Sequence, residues 1–384
     1  MALSKSWRTR YLFYASLILI IPFLLSVLDL HRDGISDGPK RKIPKKSDHL
    51  ILGPAAGQGL PNRLQCKGLK AVNMDDASRS RGAISGSDAV SFVTVFTVYN
   101  GSVRSEPTSL VTVGNVSYSK EERSLAILHT FVDFIQVSMP KSSVIILTDP
   151  ASHFSVKRNS ASLLPIEGDY SRGRLMLQRI KSYIVFLHSR LEQLQKAKSV
   201  SHYVFTDSDV AVVDDLGHIF QKYPQFHLAL TFRNNKEQPL NSGFIAVRGT
   251  PDGILKAKIF LQEVLDVYVS KYMKASRMLG DQLALASVVK AHLPFVAKKF
   301  GKPEAFSSEV NGVSVLFLPC AVYNWTPPEG AGQFHGMPLD VQVVHFKGSR
   351  KRLMLESWNF YNTTSKLPDM LCLVLKSGRT KYDF

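Results

Sequence analysis

From Ala89 onward, short β-rich apolar runs alternate with amphipathic helical stretches, and this alternation limits the possible folds more than any other feature. "AVSFVTVFTVY" precedes "SLAILHTFVDFI", which has helical spacing, and "SSVIILTD" precedes the long amphipathic "RLMLQRIKSYIVFLHSRLEQLQKA". "HYVFTDSD", "FHLALTFR" and "SGFIAVRG" read as further strands, "ILKAKIFLQEVLDVYVSKYM" as a second long helix, and "SVLFLP" and "VQVVHF" as late strands. Strands alternating with helices, then strands joined by long connections, predict an α/β sheet flanked by helices. In open sheets of this kind ligands sit beyond the carboxyl ends of the strands. Asp149, Asp207, Asp209 and His345 fall at or near such ends.

The first 87 residues have another texture. "MALSKSWRTR" is basic, and Tyr11–Leu28 carries no charge, near the minimum length for a membrane-spanning helix. A cleavable signal peptide has a shorter apolar core and ends at a small-x-small site, which "DLHRDG" does not offer. The expected layout is a cytosolic tail at 1–10, a single transmembrane signal anchor at 11–29, a flexible stem at 30–87 and a catalytic domain at 88–384. Positive charge before the span directs the bulk of the chain to the lumen, a single-pass type II arrangement. "HRDGISDGPKRKIPKKSD" suits a stem, being rich in charge, Gly and Pro without apolar periodicity.

The net charge of +17 raises the question of nucleic acid. Residues 1–87 hold 14 Lys and Arg against 6 Asp and Glu, a net of +8, so about half of the excess lies outside the α/β part. With no zinc-finger spacing, RNA-binding signature or basic helical stripe, no nucleic-acid partner is expected. Three cysteines, Cys66, Cys320 and Cys372, are too few for a disulfide scaffold. A lumenal compartment permits a Cys320–Cys372 bridge, and three unpaired thiols are the equal alternative. N-x-S/T sequons at Asn100, Asn115, Asn324 and Asn362 are compatible with that compartment.

Within "HYVFTDSDVAVV" two carboxylates interrupt an apolar run. Buried carboxylates must be paired, hydrated or bound to metal. A D-x-D triplet alone reads as a turn or helix cap. Set between two buried segments, Asp207 and Asp209 become hard oxygen ligands for Mg²⁺ or Mn²⁺. "VVHFKGSRK" adds His345 at a strand end, Gly348 for a backbone turn and Lys351 as a charge for phosphate. Taken singly, His345 is an ordinary packed histidine and the rest a basic loop. Together the set offers two carboxylates and an imidazole to a metal, and the imidazole favours Mn²⁺.

The five stretches "FVTVFTVYN", "DSD", "LNSGFIAV", "GDQLALA" and "HFKGSRK", in that order, resemble the GT-A nucleotide-sugar glycosyltransferases of family 8. "NSGF" and "LPCAVYNW" also resemble the plant family-77 arabinosyl- and xylosyltransferases. The likeness covers roughly Ser91 to Lys351. It implies a GT-A, Rossmann-like mixed sheet and a metal-dependent transferase that moves a hexose or pentose. The donor implied is a UDP-sugar, the acceptor a glycan, glycoprotein or cell-wall polymer, and the setting the lumen of the Golgi, with retained anomeric configuration. Asp207, Asp209 and His345 are implied as Mn²⁺ (or Mg²⁺) ligands, with Asp207 also near the ribose. Gly348 and Lys351 are implied at the diphosphate, and Thr97 and Tyr99 at the base. Asn241 and Gly243 line the implied sugar pocket, with Asp281 and Gln282 near the anomeric carbon. Arg174 and Lys181, on the basic helix, are candidates for donor contact, and Arg179 is as plausible. One departure is Arg352-Leu353 after the lysine, where the family usually has Pro-Trp; Trp358 is a substitute for that aromatic wall. The alternative from a different class is a non-catalytic lumenal protein that binds a sugar nucleotide or glycan on the same fold.

Overall fold

The computed structural model describes residues 89–98, 110–113, 116–194, 200–275, 278–327 and 340–355. The 11–29 segment, the stem, Tyr99, Trp358, Cys66, Cys372 and the sequons at Asn100, Asn115 and Asn362 lie outside them. Among the described residues no helix is long and apolar enough to cross a membrane.

The strands are β1 Ala89–Val95, β2 Val111–Val113, β3 Val116–Tyr118, β4 Ser143–Thr148, β5 Ala161–Pro165, β6 Ser201–Thr206, β7 Val210–Val212, β8 Leu228–Phe232, β9 Leu240–Val247, β10 Phe306–Val310, β11 Val313–Pro319 and β12 Val343–His345. The helices are α1 Lys120–Ser138, α2 Leu175–Leu194, α3 Gly217–Lys222, α4 Pro251–Val267, α5 Gly280–His292, α6 Ala297–Phe300 and α7 Cys320–Tyr323. Eight strands form one mixed sheet in the order β10-β11-β8-β9-β6-β1-β4-β5. β5, β4, β1 and β6 run parallel, β9 is reversed, β8 and β11 resume the first direction, and β10 closes the edge antiparallel. This mixed, helix-flanked architecture is compatible with a Rossmann-like fold.

Side-chain alternation divides the apolar residues between two faces. On β1, β4 and β6, Phe92, Val144, Ile146 and Val204 join one core, with Phe131 and Phe134 of α1 and with β7 and β12. Val93, Ile145, Leu147, Tyr203 and Phe205 join the other, under α2, α4 and α5. Strands covered on both faces must be apolar throughout, which explains the unbroken "VIIL" and "YVF" runs. Removing one of the fully buried phenylalanines, such as Phe92 or Phe205, costs about 3–5 kcal/mol. Two helix starts are set locally. Ser119 and Glu122 form a reciprocal capping box before α1, and Thr250 caps α4 ahead of Pro251.

The apolar stretch around the D-x-D is two strands. β6 stays in the main sheet, whereas β7 leaves it and pairs antiparallel with β12. Asp207, Ser208 and Asp209 are the junction, where side chains that would desolvate badly within the sheet reach its carboxyl edge.

Candidate metal centre

The β7–β12 pair assembles the site. His345 lies opposite Val210, and the Phe346 amide donates to the Asp209 carbonyl at 2.8 Å. Two motifs more than a hundred residues apart are thereby fastened together. One oxygen of Asp207, one of Asp209 and Nε2 of His345 all lie within 4.8 Å of one another. Nε2 is 3.3 Å from Asp209 Oδ1 and 3.6 Å from Asp207 Oδ2. These gaps are long for hydrogen bonds. They come close to the ~3 Å that separates adjacent ligands of an octahedral ion held at about 2.1 Å.

The tautomer of His345 follows from a fixed backbone donor. The Gly243 amide donates to Asn241 Oδ1 at 2.8 Å, so that atom is an oxygen accepting. Asn324 Nδ2 donates to the same oxygen at 2.9 Å, which makes the other amide atom of Asn324 an acceptor. That acceptor, Asn324 Oδ1, lies 2.8 Å from His345 Nδ1, which therefore carries the proton. Nε2 faces the two carboxylates, and in a neutral ring with this tautomer it is the nitrogen whose lone pair would bind a cation. Asn324 is held in place because Trp325 bridges β12: its amide donates to Val343 and its carbonyl accepts from His345.

Gly243 makes room for the cluster. A Cβ there would lie 2.7 Å from Asp207 Oδ2 and 2.8 Å from His345 Cε1, so a larger residue would occupy the space between them. The residues present suit a hard or borderline divalent cation with two carboxylates and one imidazole.

Charges hold the two aspartates from opposite sides. Arg179 bridges Asp207 and Asp281 and donates to Ser242 Oγ at 2.9 Å. Burial alone would push the guanidinium down, but Asp281 and then Asp207 outweigh it and keep it charged. Lys351 Nζ lies 3.0 Å from Asp209 Oδ2. Burial favours the neutral acid at Asp209, yet Lys351 and His345 hold it well below the usual carboxylate range. Asp209 in turn raises Lys351. Gly348 takes φ +67°, and a Cβ there would meet nothing, so backbone conformation rather than space requires glycine. Its turn, Gly348–Arg350, brings the chain back so that Lys351 faces Asp209. Lys347 is pushed down to about 8 by burial, with Arg233 adding to the effect.

The remaining candidates are distributed unevenly. Thr97 sits past the end of β1, its hydroxyl 3.4 Å from Ser152 Oγ. Asn241 is buried and committed to Gly243 and Asn324. Asp281 is buried against Arg179, and Gln282 donates to Gln238 Oε1 at 3.0 Å. Arg174 is exposed, near Met273 Sδ, and Lys181 is exposed on α2, so neither joins the cluster. Arg179 does, because it lies four residues before Tyr183 and seven before Phe186, on the helix face that packs inward. Lys181 shares its face with exposed Val185 and His188.

Two further residues of the sequence reading lie near the site. Asn324 is only 4% exposed with its amide bonded on both sides, so this sequon is not presented for glycosylation in the folded chain. Cys320 is buried and free among the described residues, and Cys372, its expected partner, lies outside them. Gly280 went unread: a Cβ there would collide with the Tyr268 ring, which docks the start of α5 and hence Asp281. Just before it, Met278 takes φ +55°, an uncommon backbone for a residue of its kind. Neither a protein-family model nor a curated protein matches this chain.

Proposed function

We propose that this chain is a metal-dependent glycosyltransferase of the GT-A type. It moves a sugar from a nucleoside-diphosphate donor, a UDP-sugar by the resemblance, to a glycan or glycoprotein acceptor. The uncharged run at 11–28 anchors it in the Golgi membrane, with the catalytic domain in the lumen. The observation that carries the reading is the convergence of Asp207, Asp209 and Nε2 of His345 on one point, with Lys351 beside it.

Cleaving the bond from anomeric carbon to phosphate oxygen builds negative charge on the departing nucleoside diphosphate. Asp207, Asp209 and His345 would hold a divalent ion, which would supply positive charge to that leaving group. Lys351 adds an ammonium next to Asp209, and the site is set before the donor arrives. Arg179 fixes the rotamer of Asp207, and Asn324 fixes the ring of His345. Thr97, past the end of the neighbouring β1, lies where the nucleoside would extend. Asp281 is buried and paired to Arg179, so it acts as a positioning residue and not as an attacking carboxylate. This supports departure and attack on one face of the sugar over a covalent route through Asp281.

The test uses the full chain in detergent with Mn²⁺ and a panel of sugar nucleotides, measuring nucleoside-diphosphate release. The expected result is release from one or a few donors, abolished by chelator and lowered about 10²-fold or more in Asp209→Ala. Tight UDP uptake with no release from any donor supports the non-catalytic binder instead. A folded protein that neither binds UDP nor releases it contradicts both.

A further inference from the structure

Beside the metal cluster, a chain of three side chains fixes which way the Gln282 amide faces. It starts at Arg233, which follows β8 directly and is 3% exposed. Arg233 Nε donates to the Gln238 carbonyl at 2.7 Å, and Nη2 donates to Gln238 Oε1 at 2.9 Å. A guanidinium only donates, so the amide atom it meets is an oxygen. Gln282 approaches that same oxygen at 3.0 Å, which makes the approaching atom its nitrogen, Nε2. The oxygen of the Gln282 amide is therefore on the other prong. Gln282 is 5% exposed, and its Oε1 has no partner among the described residues. That oxygen is not one of the unpaired atoms sealed from solvent.

Closing the β8–β9 loop does not depend on this chain. The Arg233 amide donates to the Pro239 carbonyl at 2.8 Å, and Asn235 Oδ1 accepts from the amides of Glu237 and Gln238 at 2.9 and 3.0 Å. The bond from Nη2 to the Gln238 side chain adds orientation. A reversed Gln238 amide would set its NH₂ against the guanidinium, donor to donor, and would let Gln282 reverse in turn.

The elements that carry the free oxygen give its place. Asp281, one residue earlier on α5, is tied through Arg179 to Asp207, so the first turn of α5 stands at the metal cluster. Gln238 precedes β9, whose Gly243 borders Asp207 and His345. Along the carboxyl edge the strand order is β8, β9, β6, β1. Thr97 follows β1 and Asp207 follows β6. A donor with its nucleoside past β1 and its diphosphate at Asp207 and Asp209 carries its sugar toward β9 and β8, the side on which Gln282 meets Gln238.

We propose that Arg233 and Gln238 are positioning residues for the transfer. They hold the Gln282 amide with its oxygen, and not its nitrogen, toward the transferred sugar, where a sugar hydroxyl donates to it. The inference rests on the transferase reading above. An amide free to flip would offer that hydroxyl a donor as often as an acceptor.

The test uses the full chain with Mn²⁺, the sugar nucleotide that gives the fastest UDP release in the screen above, and the monodeoxy analogues of that donor. The wild type is expected to lose about tenfold or more in kcat/KM on one analogue, the one lacking the hydroxyl that Gln282 accepts from. Gln238→Met lowers kcat/KM for the parent donor and brings the parent-to-analogue ratio near one, while affinity for UDP alone is unchanged. Gln238→Glu keeps two acceptor oxygens for Arg233 and Gln282, and restores the ratio. Because Gln238 is half-buried, its variants keep the test independent of buried Arg233. A wild type that uses every analogue as well as the parent overturns this inference alone. So does a Gln238→Met that keeps the wild-type ratio, or one that loses UDP affinity in parallel, which would make the chain a scaffold for the whole site. Failure of the wild type to release UDP from any donor removes the transferase reading, and with it the ground for this one.

Discussion

Asp207 and Asp209 stand one residue apart in opposite surroundings. The side chain of Asp207 is 29% exposed, yet its partner Arg179 is sealed and tied onward to Asp281. Asp209 is 9% exposed, yet its partner Lys351 has a side chain 43% open to solvent. One side of the turn is a buried triad that fixes geometry. The other is a movable ammonium that can exchange a carboxylate for a ligand. A site that receives a charged leaving group needs both: a rigid frame, and a cation free to follow the charge.

Breaking the rigid side should show in stability. Arg179→Met strands Asp281 in the interior and should cost roughly 3–5 kcal/mol, read as a drop in Cm on urea unfolding with unchanged m-value. Breaking the open side should show in turnover. Lys351→Gln should cost about 10²–10³ in kcat while shifting stability by about 1 kcal/mol or less, since its ion pair is half exposed. If the two variants produced similar stability losses, the contrast between the sides would fail.

A finer cut separates ligand from support. Asn324→Ala removes the acceptor that holds His345 Nδ1–H, leaving the metal ligands themselves intact. Mn²⁺ affinity should fall about 10–100-fold, measured by calorimetry. The smallest effect is in acid. The fold lowers the Asp209 carboxyl below its unfolded value, so the pair's stabilisation is fully present above about pH 4 and is lost as pH falls further. In metal-free protein, Tm should therefore drop more from pH 6 to pH 3 in the wild type than in Asp209→Asn.

The same contrast explains what could be read from the sequence. β1, α1, β4, α2, β6, β8, β9 and β11 were legible because buried runs and amphipathic spacing are local signals. The edge strands β5 and β10 were not: "ASLLP" is short, ends in Pro and is largely exposed, and "FSSEV" is mostly polar, as strands at an exposed edge can be. The open half of the site was also legible, since Asp207, Asp209, His345, Gly348 and Lys351 lie in two compact motifs. The closed half depends on helix register and long-range contact. Arg174, Arg179 and Lys181 are alike in composition, and only the 183 and 186 aromatic positions single out Arg179. Asn324 shows the limit most sharply. Its own neighbours spell a sequon, while its role comes from a bridge to β12 that no local pattern contains.

The central claim is that three side chains share one ion. Electron paramagnetic resonance of Mn²⁺ titrated into the full chain counts free against bound metal directly. The account predicts one tight site per chain that weakens strongly in each of Asp207→Ala, Asp209→Ala and His345→Ala. Uptake that is absent in the wild type, or unchanged in the three folded variants, would contradict it.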